Sequence, residues 1–476
     1  MKKLQVIVLV LIFTFGFIVR LYRFDNPIAD WHSWRQADTS AVSRNFVDHG
    51  FDILHPRFDD LSNVPSGLEN PFGYRFVEFP LYNIAQAGLF VVFHHFTIEE
   101  WGRLVNIFAS LFSGFMLYLI LRKYISDVAG ISAAFFYLFL PYSIYYSRTL
   151  LPDVSMTTMV LSGTYFFDKW LDTTKKNKWI YGLLALFFIS ASFLIKPYAL
   201  FFMVPLLVMA WNRYGWGIWK RWELVFIAVL AVIPLLAWRL WMQQFPEGIP
   251  VSAWLLNGGE IRFKGAFFYW LFADRIGRLI AGYWGLGFLV AGFLYPLKDK
   301  KILVIYSFLV SSLIYMTVIA RGNVQHDYYQ ILIIPTLAMF MGIGVQTILD
   351  IQKNKLIAYS LIFVITAFSV FFGWYYVRDY FNINNEAIVR TGKAVDALIP
   401  KDAKVIVPYD GDTSFLYQTR RSGWASFEHP LPEMIELGAD YLVLLNTNPK
   451  DFDFGKTYKI VSSSKDYILF DLRSHP

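Results

Sequence analysis

Apolar runs of membrane-spanning length, separated by short polar stretches, fill the chain up to about residue 375. A bilayer core about 30 Å thick takes roughly 20 apolar residues per helix. Runs of this kind are read at Leu4–Leu21, Leu104–Leu121, Val128–Tyr146, Val154–Leu171, Trp179–Ile195, Tyr198–Trp211, Leu224–Trp241, Leu279–Leu297, Ile302–Ala320, Ile331–Leu349 and Leu356–Trp374. The pattern predicts an α-helical polytopic membrane protein with about eleven transmembrane helices. Pro80–Phe93 is also apolar, but it is short and lies among aromatics, so it is read as an interfacial helix along the membrane.

Beyond Tyr375 the periodicity changes to that of a soluble fold. Ala387, Ile388, Thr391, Val395 and Leu398 recur at helical spacing, whereas Val405–Val407, Tyr441–Leu445 and Tyr467–Phe470 are short strand-like runs. A small extracytoplasmic α/β domain is therefore expected over 379–476. The transmembrane domain is expected over 1–378, with a long first outer loop at 22–103.

Charge sets the expected orientation. Lys2-Lys3, Arg122-Lys123, Lys169 with Lys175-Lys176-Lys178, Arg213 with Lys220-Arg221, Lys298-Lys300-Lys301 and Lys353 with Lys355 all fall on one side of an eleven-span arrangement. Short basic loops stay cytoplasmic, so the N-terminus is expected inside and the C-terminus outside, in the cell membrane. Arg20 and Arg23 break the pattern and are read as snorkelling or meeting a phosphate just outside. The formal net charge of +7 then reads as loops facing anionic lipid, not as a nucleic-acid surface. With no cysteine in the chain, disulfides, thiolate nucleophiles and Cys-held metals are excluded.

The polar constellations fall on the opposite side, at 22–103, 147–153, 243–278 and 321–329, with Lys196-Pro197 at an outer helix end. In the first loop Arg35, Asp38, Val42 and Asn45 share one helix face. Asp38 beside Arg35 would stay ionised, able to accept a proton from a nucleophilic hydroxyl or amine; an ordinary i,i+3 ion pair explains the spacing equally well. Glu78 precedes the apolar run at 80 and reads first as a helix cap. Asp153 likewise reads as a cap, or with Arg148 as a charged-substrate contact at the membrane boundary. Lys196 reads as a snorkelling lysine or a phosphate contact. Arg321, His326 and Tyr329 offer donors to phosphate oxygens. His326 and Asp327 are poor joint metal ligands, because adjacent residues point apart on a helix.

These residues follow a known order. Tyr146-Ser147-Arg148-Thr149-Leu150-Leu151-Pro152-Asp153 resembles the Ser-Arg-Xaa-Xaa-Leu-Leu-Asp stretch of protein O-mannosyltransferases, with Pro152 inserted. His326-Asp327-Tyr328-Tyr329 is similar to their His-Pro-Tyr-Tyr, and Glu78-Phe79-Pro80-Leu81 to the Glu-Lys-Pro-Pro of lipid A aminoarabinose transferases without the Lys. With Lys196-Pro197 they resemble the GT-C superfamily of membrane glycosyltransferases, bacterial family-39 type, over about residues 1–375. One departure matters. The family's catalytic acid sits in an Asp-Glu pair, where this chain has Arg35-Gln36. The acid is then Asp38, one turn further on, or Asp30 upstream.

The resemblance implies transfer of a sugar from a polyprenyl-phosphate donor to an extracytoplasmic acceptor (lipid, glycan or protein) by an inverting displacement. Arg148, Lys196, Arg321, His326 and Tyr329 would hold the donor phosphate, with Arg35, Glu78 and Asp153 as further substrate contacts. No particular cofactor is implied, and a divalent metal ion is left open. The partners are then donor lipid, acceptor and membrane lipid, without nucleic acid. The competing reading is a transporter or flippase for a lipid-linked sugar, but such proteins place ionisable groups near the midplane on broken helices, often in inverted repeats.

Overall fold

A computed structural model describes residues 3–174, 177–296, 299–446 and 448–474. Lys2, Lys175, Lys176 and Lys298, used in the charge argument, and Leu297, the expected end of one span, lie outside the described residues. The chain forms two compact units. One comprises 1–24, 103–239 and 252–379; the other comprises 25–102, 240–251 and 380–476. The first loop thus packs in the same unit as the C-terminal segment.

The first unit is helical. Among the described residues, six helical stretches are long and apolar enough to cross a membrane: Ile98–Tyr124, Lys178–Ile195, Trp222–Met242, Lys300–Val318, Ile334–Ile351 and Lys355–Leu398. The other expected spans are helical too, but shorter, interrupted or more polar. Lys3–Val19 has 17 residues. The run at 128–146 divides into Asp127–Phe139 and Pro141–Tyr146, because Pro141 has no N–H for a continuing helix. The run at 198–211 begins as a 3-10 turn, Pro197–Met203, before Val204–Tyr214. The run at 279–297 breaks between a π-helix, Tyr269–Ile280, and Leu286–Phe293. Gly282 (φ +54°) forms that break, and a Cβ there would lie 2.2 Å from the Ser369 carbonyl oxygen.

Asp153–Asp172 is helical over 20 residues yet rich in hydroxyls. Thr157, Thr158, Ser162 and Thr164 each donate to the carbonyl four residues back, at 2.7–2.9 Å. Those hydroxyls are satisfied by their own helix, which lets it bury them. Elsewhere backbones approach closely at small residues, as membrane helices do. A Cβ on Gly344 would sit 2.0 Å from the Phe288 oxygen, and one on Gly292 2.0 Å from that of Phe340.

The second unit contains the α/β fold. Among the described residues its strands are β1 (Val405–Ile406), β2 (Gly423–Trp424), β3 (Tyr441–Leu445), β4 (Lys459–Ser463) and β5 (Tyr467–Asp471), in the order β2-β1-β3-β5-β4. β1 pairs in parallel with β2 and β3, while β5 pairs antiparallel with β3 and β4. The expected helix forms as Glu386–Leu398 and the three expected strands as β1, β3 and β5; β2 and β4 were not expected. β4 is mostly exposed and β2 only two residues long, so neither carries a readable apolar alternation. The first loop enters this core directly: Ala29 packs with Val395, Phe415 and Val443, and Leu61 with Trp424 and Phe470. Its backbone also pairs with β2, through Leu61 N–H to Gly423 O (2.8 Å) and Gly423 N–H to Asp59 O (2.9 Å).

Candidate functional site

In the second unit the helix Ser33–His49 carries the acid singled out from sequence. Asp38 is 5% exposed, and both its oxygens are engaged. Arg75 donates to Oδ2 at 2.6 Å and Thr413 to Oδ1 at 2.6 Å. The expected partner, Arg35, is turned elsewhere: it pairs with Glu78 and donates to Thr39 Oγ1 at 3.1 Å. Glu78 therefore binds Arg35, while the helix after it starts at Leu81 with Pro80 as a cap that makes no side-chain bond. A buried carboxylate needs a cation or several donors, and two acids with two arginines satisfy that requirement in crossed pairs.

Asp30, the alternative acid, is fully buried and accepts from the Gln36 carboxamide at 2.7 Å. Around Asp38 lie further acids. Burial pushes the Asp60 carboxyl up to about 7, against two hydrogen bonds from Ser62 and with a contribution from the Asp38 charge. Burial also raises Asp412, again with Asp38 adding to the effect. Sequence reasoning missed Thr413 and did not connect Arg75 to Asp38. Arg75 sits in the flagged loop, but Thr413 has no local signal.

In the first unit Lys196, at the C-terminal end of Lys178–Ile195, meets both carboxylate oxygens of Asp153 at 2.8 Å. The two side chains are 8% and 2% exposed. The snorkelling and capping readings give way to a buried ion pair. The Lys196 ammonium also lies 5.8 Å from the ring centres of Tyr328 and Tyr329, within cation–π range. His326 stacks on the same rings, at 5.5 and 6.1 Å, and meets Trp254 at 6.0 Å. Tyr146 donates to Asp327 Oδ1 at 2.6 Å, and Tyr142 donates to the Asp327 carbonyl. Lys196, Asp153, His326 and Tyr329 thus gather in one cluster.

The other two expected phosphate contacts differ. Arg148 is buried and donates from Nη1 to the backbone oxygens of Tyr22 and Arg23, so that nitrogen anchors the chain after the first helix. Arg321 is half-buried, bonds Gln325 at 3.3 Å, and has no ion pair among the described residues. Arg20 does not snorkel: it is fully buried and donates to Ser147 Oγ (2.7 Å) and the oxygens of Gly16 (2.7 Å) and Leu138 (2.8 Å). Among the described residues the group with metal-ligand spacing is Glu69, Glu428 and His429, where His429 already pairs with Glu69 at 2.9 Å.

Comparison with known proteins follows this geometry. Residues 79–241 match the dolichyl-phosphate-mannose-protein mannosyltransferase family. Among solved structures, ArnT from Cupriavidus metallidurans bound to undecaprenyl phosphate is similar with TM-score 0.68 and 11% identity, over 99% of this chain and 98% of that one. The archaeal oligosaccharyltransferase AglB from Archaeoglobus fulgidus, in complex with an inhibitory peptide and a dolichol-phosphate, is similar with TM-score 0.61 and 12% identity, over 93% of this chain and 69% of that one. The mycobacterial arabinofuranosyltransferase AftD is similar with TM-score 0.60 and 10% identity, over 98% of this chain and 41% of that larger one. No curated protein matches in sequence.

Proposed function

Because the chain has the fold of the GT-C superfamily of membrane glycosyltransferases, we propose that it transfers a sugar from a polyprenyl-phosphate donor to an acceptor outside the cytoplasm. The observation that carries the assignment of the acid is Asp38, buried and held at both oxygens by Arg75 and Thr413. A carboxylate fixed in this way has a set direction, as an acceptor-activating base requires.

The chemistry is a single displacement with inversion. The acceptor oxygen bonds to the anomeric carbon while the bond from that carbon to the phosphate oxygen breaks. The acceptor proton passes to Asp38, and the polyprenyl phosphate leaves with the electron pair, by analogy with the base of inverting glycosidases. Lys196, Arg321, His326 and Tyr329 are assigned to the leaving phosphate, where donors gain strength as charge develops. Of these, Arg321 is the cation without an acidic partner among the described residues, and the Lys196 charge is already matched by Asp153. Arg148 is assigned to the scaffold. The sites face outward in a topology with the N-terminus inside.

Lipid and glycan analysis of a deletion strain tests this reading. A glycan lacking one residue, with a polyprenyl-linked sugar accumulating, supports it, and complementation by the native gene but not by Asp38→Asn extends it to the acid. Unchanged glycans and lipids in the deletion strain would overturn it.

A further inference from the structure

The second unit contains a cavity of about 690 Å³ that the assignment of Asp38 does not use. That volume is within the roughly 300–1,000 Å³ of small-molecule sites. Its wall is built from the end of the helix Ser33–His49, the 57–61 and 71–72 segments, the 97–99 turn and the 401–404 and 420–422 segments. All of these belong to one compact unit.

The floor is rigid and charge-matched. Arg44 pairs with Asp59, donates to the Tyr417 carbonyl at 3.0 Å and stacks 4.2 Å over the Tyr417 ring, while Asn45 adds a bond to Asp59 at 3.3 Å. The rim is different. Arg57, Lys404 and Arg420 line it without an ion pair among the described residues, although Arg421 and Lys401 beside them share Asp396. Asp48 and Asp402 are exposed on the same wall and supply acceptors. Phe72, 56% exposed, presents an aromatic face.

We propose that this cavity is a saccharide subsite for an anionic sugar of the acceptor, one bearing a carboxylate or a phosphate. Sugar hydroxyls need donors and acceptors together, and Asp48, Asp402 and the Arg44–Asp59 pair offer both. The C–H face of a pyranose packs on an aromatic ring such as Phe72. With Arg44 and Asp59 cancelling, Arg57, Lys401, Lys404, Arg420 and Arg421 face Asp48, Glu99, Asp402 and the one Asp396 that Lys401 and Arg421 share. That excess of one positive charge favours one added negative charge, and the exposed Arg57 and Arg420 can grip a planar carboxylate or a phosphate through paired N–H groups. The word "acceptor" rests on the glycosyltransferase reading; the binding chemistry stands without it.

Equilibrium binding to the purified full-length protein in nanodiscs separates the two. The probes are glucuronic acid, glucose 6-phosphate, neutral maltose and inorganic phosphate. The charged sugars should bind at least tenfold more tightly than maltose and than inorganic phosphate, and which charged sugar binds better identifies the anion. The Arg57→Ala/Lys404→Ala/Arg420→Ala variant should lose at least tenfold in that affinity, and Phe72→Ala should weaken sugar binding with the charges intact. Should the triple variant misfold, Arg57→Glu alone, at an exposed position, tests the same charge. Inorganic phosphate binding as tightly as glucose 6-phosphate would overturn the saccharide claim. Maltose binding equally would overturn the anionic claim, and unchanged affinity in a folded charge variant would overturn the site itself. Because no transfer is measured, a failed glycosyltransferase reading leaves this result unaffected.

Discussion

Replacing Lys196 by methionine isolates a buried ion pair of the helical unit. The substitution keeps most of the side-chain volume but removes the ammonium that meets both oxygens of Asp153 at 2.8 Å. Asp153 is 2% exposed, so its carboxylate would remain in a poorly solvated site without its counter-charge. Breaking one side of a buried pair costs about 3–5 kcal/mol, whereas replacing both partners with apolar groups is often neutral. Loss of the cation over Tyr328 and Tyr329 adds on the order of 1 kcal/mol. Lys196→Met is therefore expected to unfold well below the native protein in a denaturant titration in mild detergent. Lys196→Met/Asp153→Leu should recover most of the loss, giving a large favourable coupling in the double-mutant cycle. The double variant also separates structure from function: with stability restored, any remaining loss of donor-lipid binding belongs to the Lys196–Asp153 pair as a ligand contact. A single variant as stable as the native protein would refute the reasoning, since it would mean that Asp153 is solvated.

Asp38→Asn should lower turnover by about 10²–10⁴-fold, the usual contribution of a general base, with Asp30→Asn less affected. Transfer surviving in the first and lost in the second would move the assignment upstream. The Asp60 carboxyl, raised by burial to about 7 from an unfolded value near 3.8, makes stability depend on pH. Between those values the folded state holds more protons than the unfolded state. The Asp60 contribution to stability is then greatest below about pH 4 and is lost as pH rises to about 7, by up to about 4 kcal/mol for a three-unit shift. Asp60→Asn should flatten that slope in urea titrations across the range, and an unaltered slope would show that Asp60 is not its source. Reporters fused at Ser126 and Asn384 should read cytoplasmic and extracytoplasmic respectively, and the reverse at Ser126 would make Pro80–Phe93 a true span.

What could be read from the chain follows the distance over which each signal acts. Helix positions depend on neighbours within a turn, and each expected span coincides with a helix or an interrupted pair of helices. The interruption at Pro141 was also visible as a residue, although a run of apolar side chains masked it. The polar helix Asp153–Asp172 was still found because Val154, Val160 and Leu161 keep its apolar rhythm, while four of its hydroxyls bond back to carbonyls of their own helix. Asp38 stood out for a local reason as well, an acid and an arginine on one helix face. That same locality produced the wrong partner. An i,i+3 pair is the best a single segment can offer, yet Arg35 found Glu78, 43 residues away. Asp38 found Arg75, 37 residues away, and Thr413, 375 away. The choice is made by burial. Once both carboxylates leave water, each needs a cation placed within hydrogen-bond distance and in line. An exposed pair on one helix is worth only a few tenths of a kcal/mol and cannot compete with that demand. For the same reason Lys196 and Asp153, each with a sound local reading as a snorkelling chain and a cap, were found by neither. Wherever two charged residues of this chain lie at the buried end of separate elements, the local reading of each is the one to distrust.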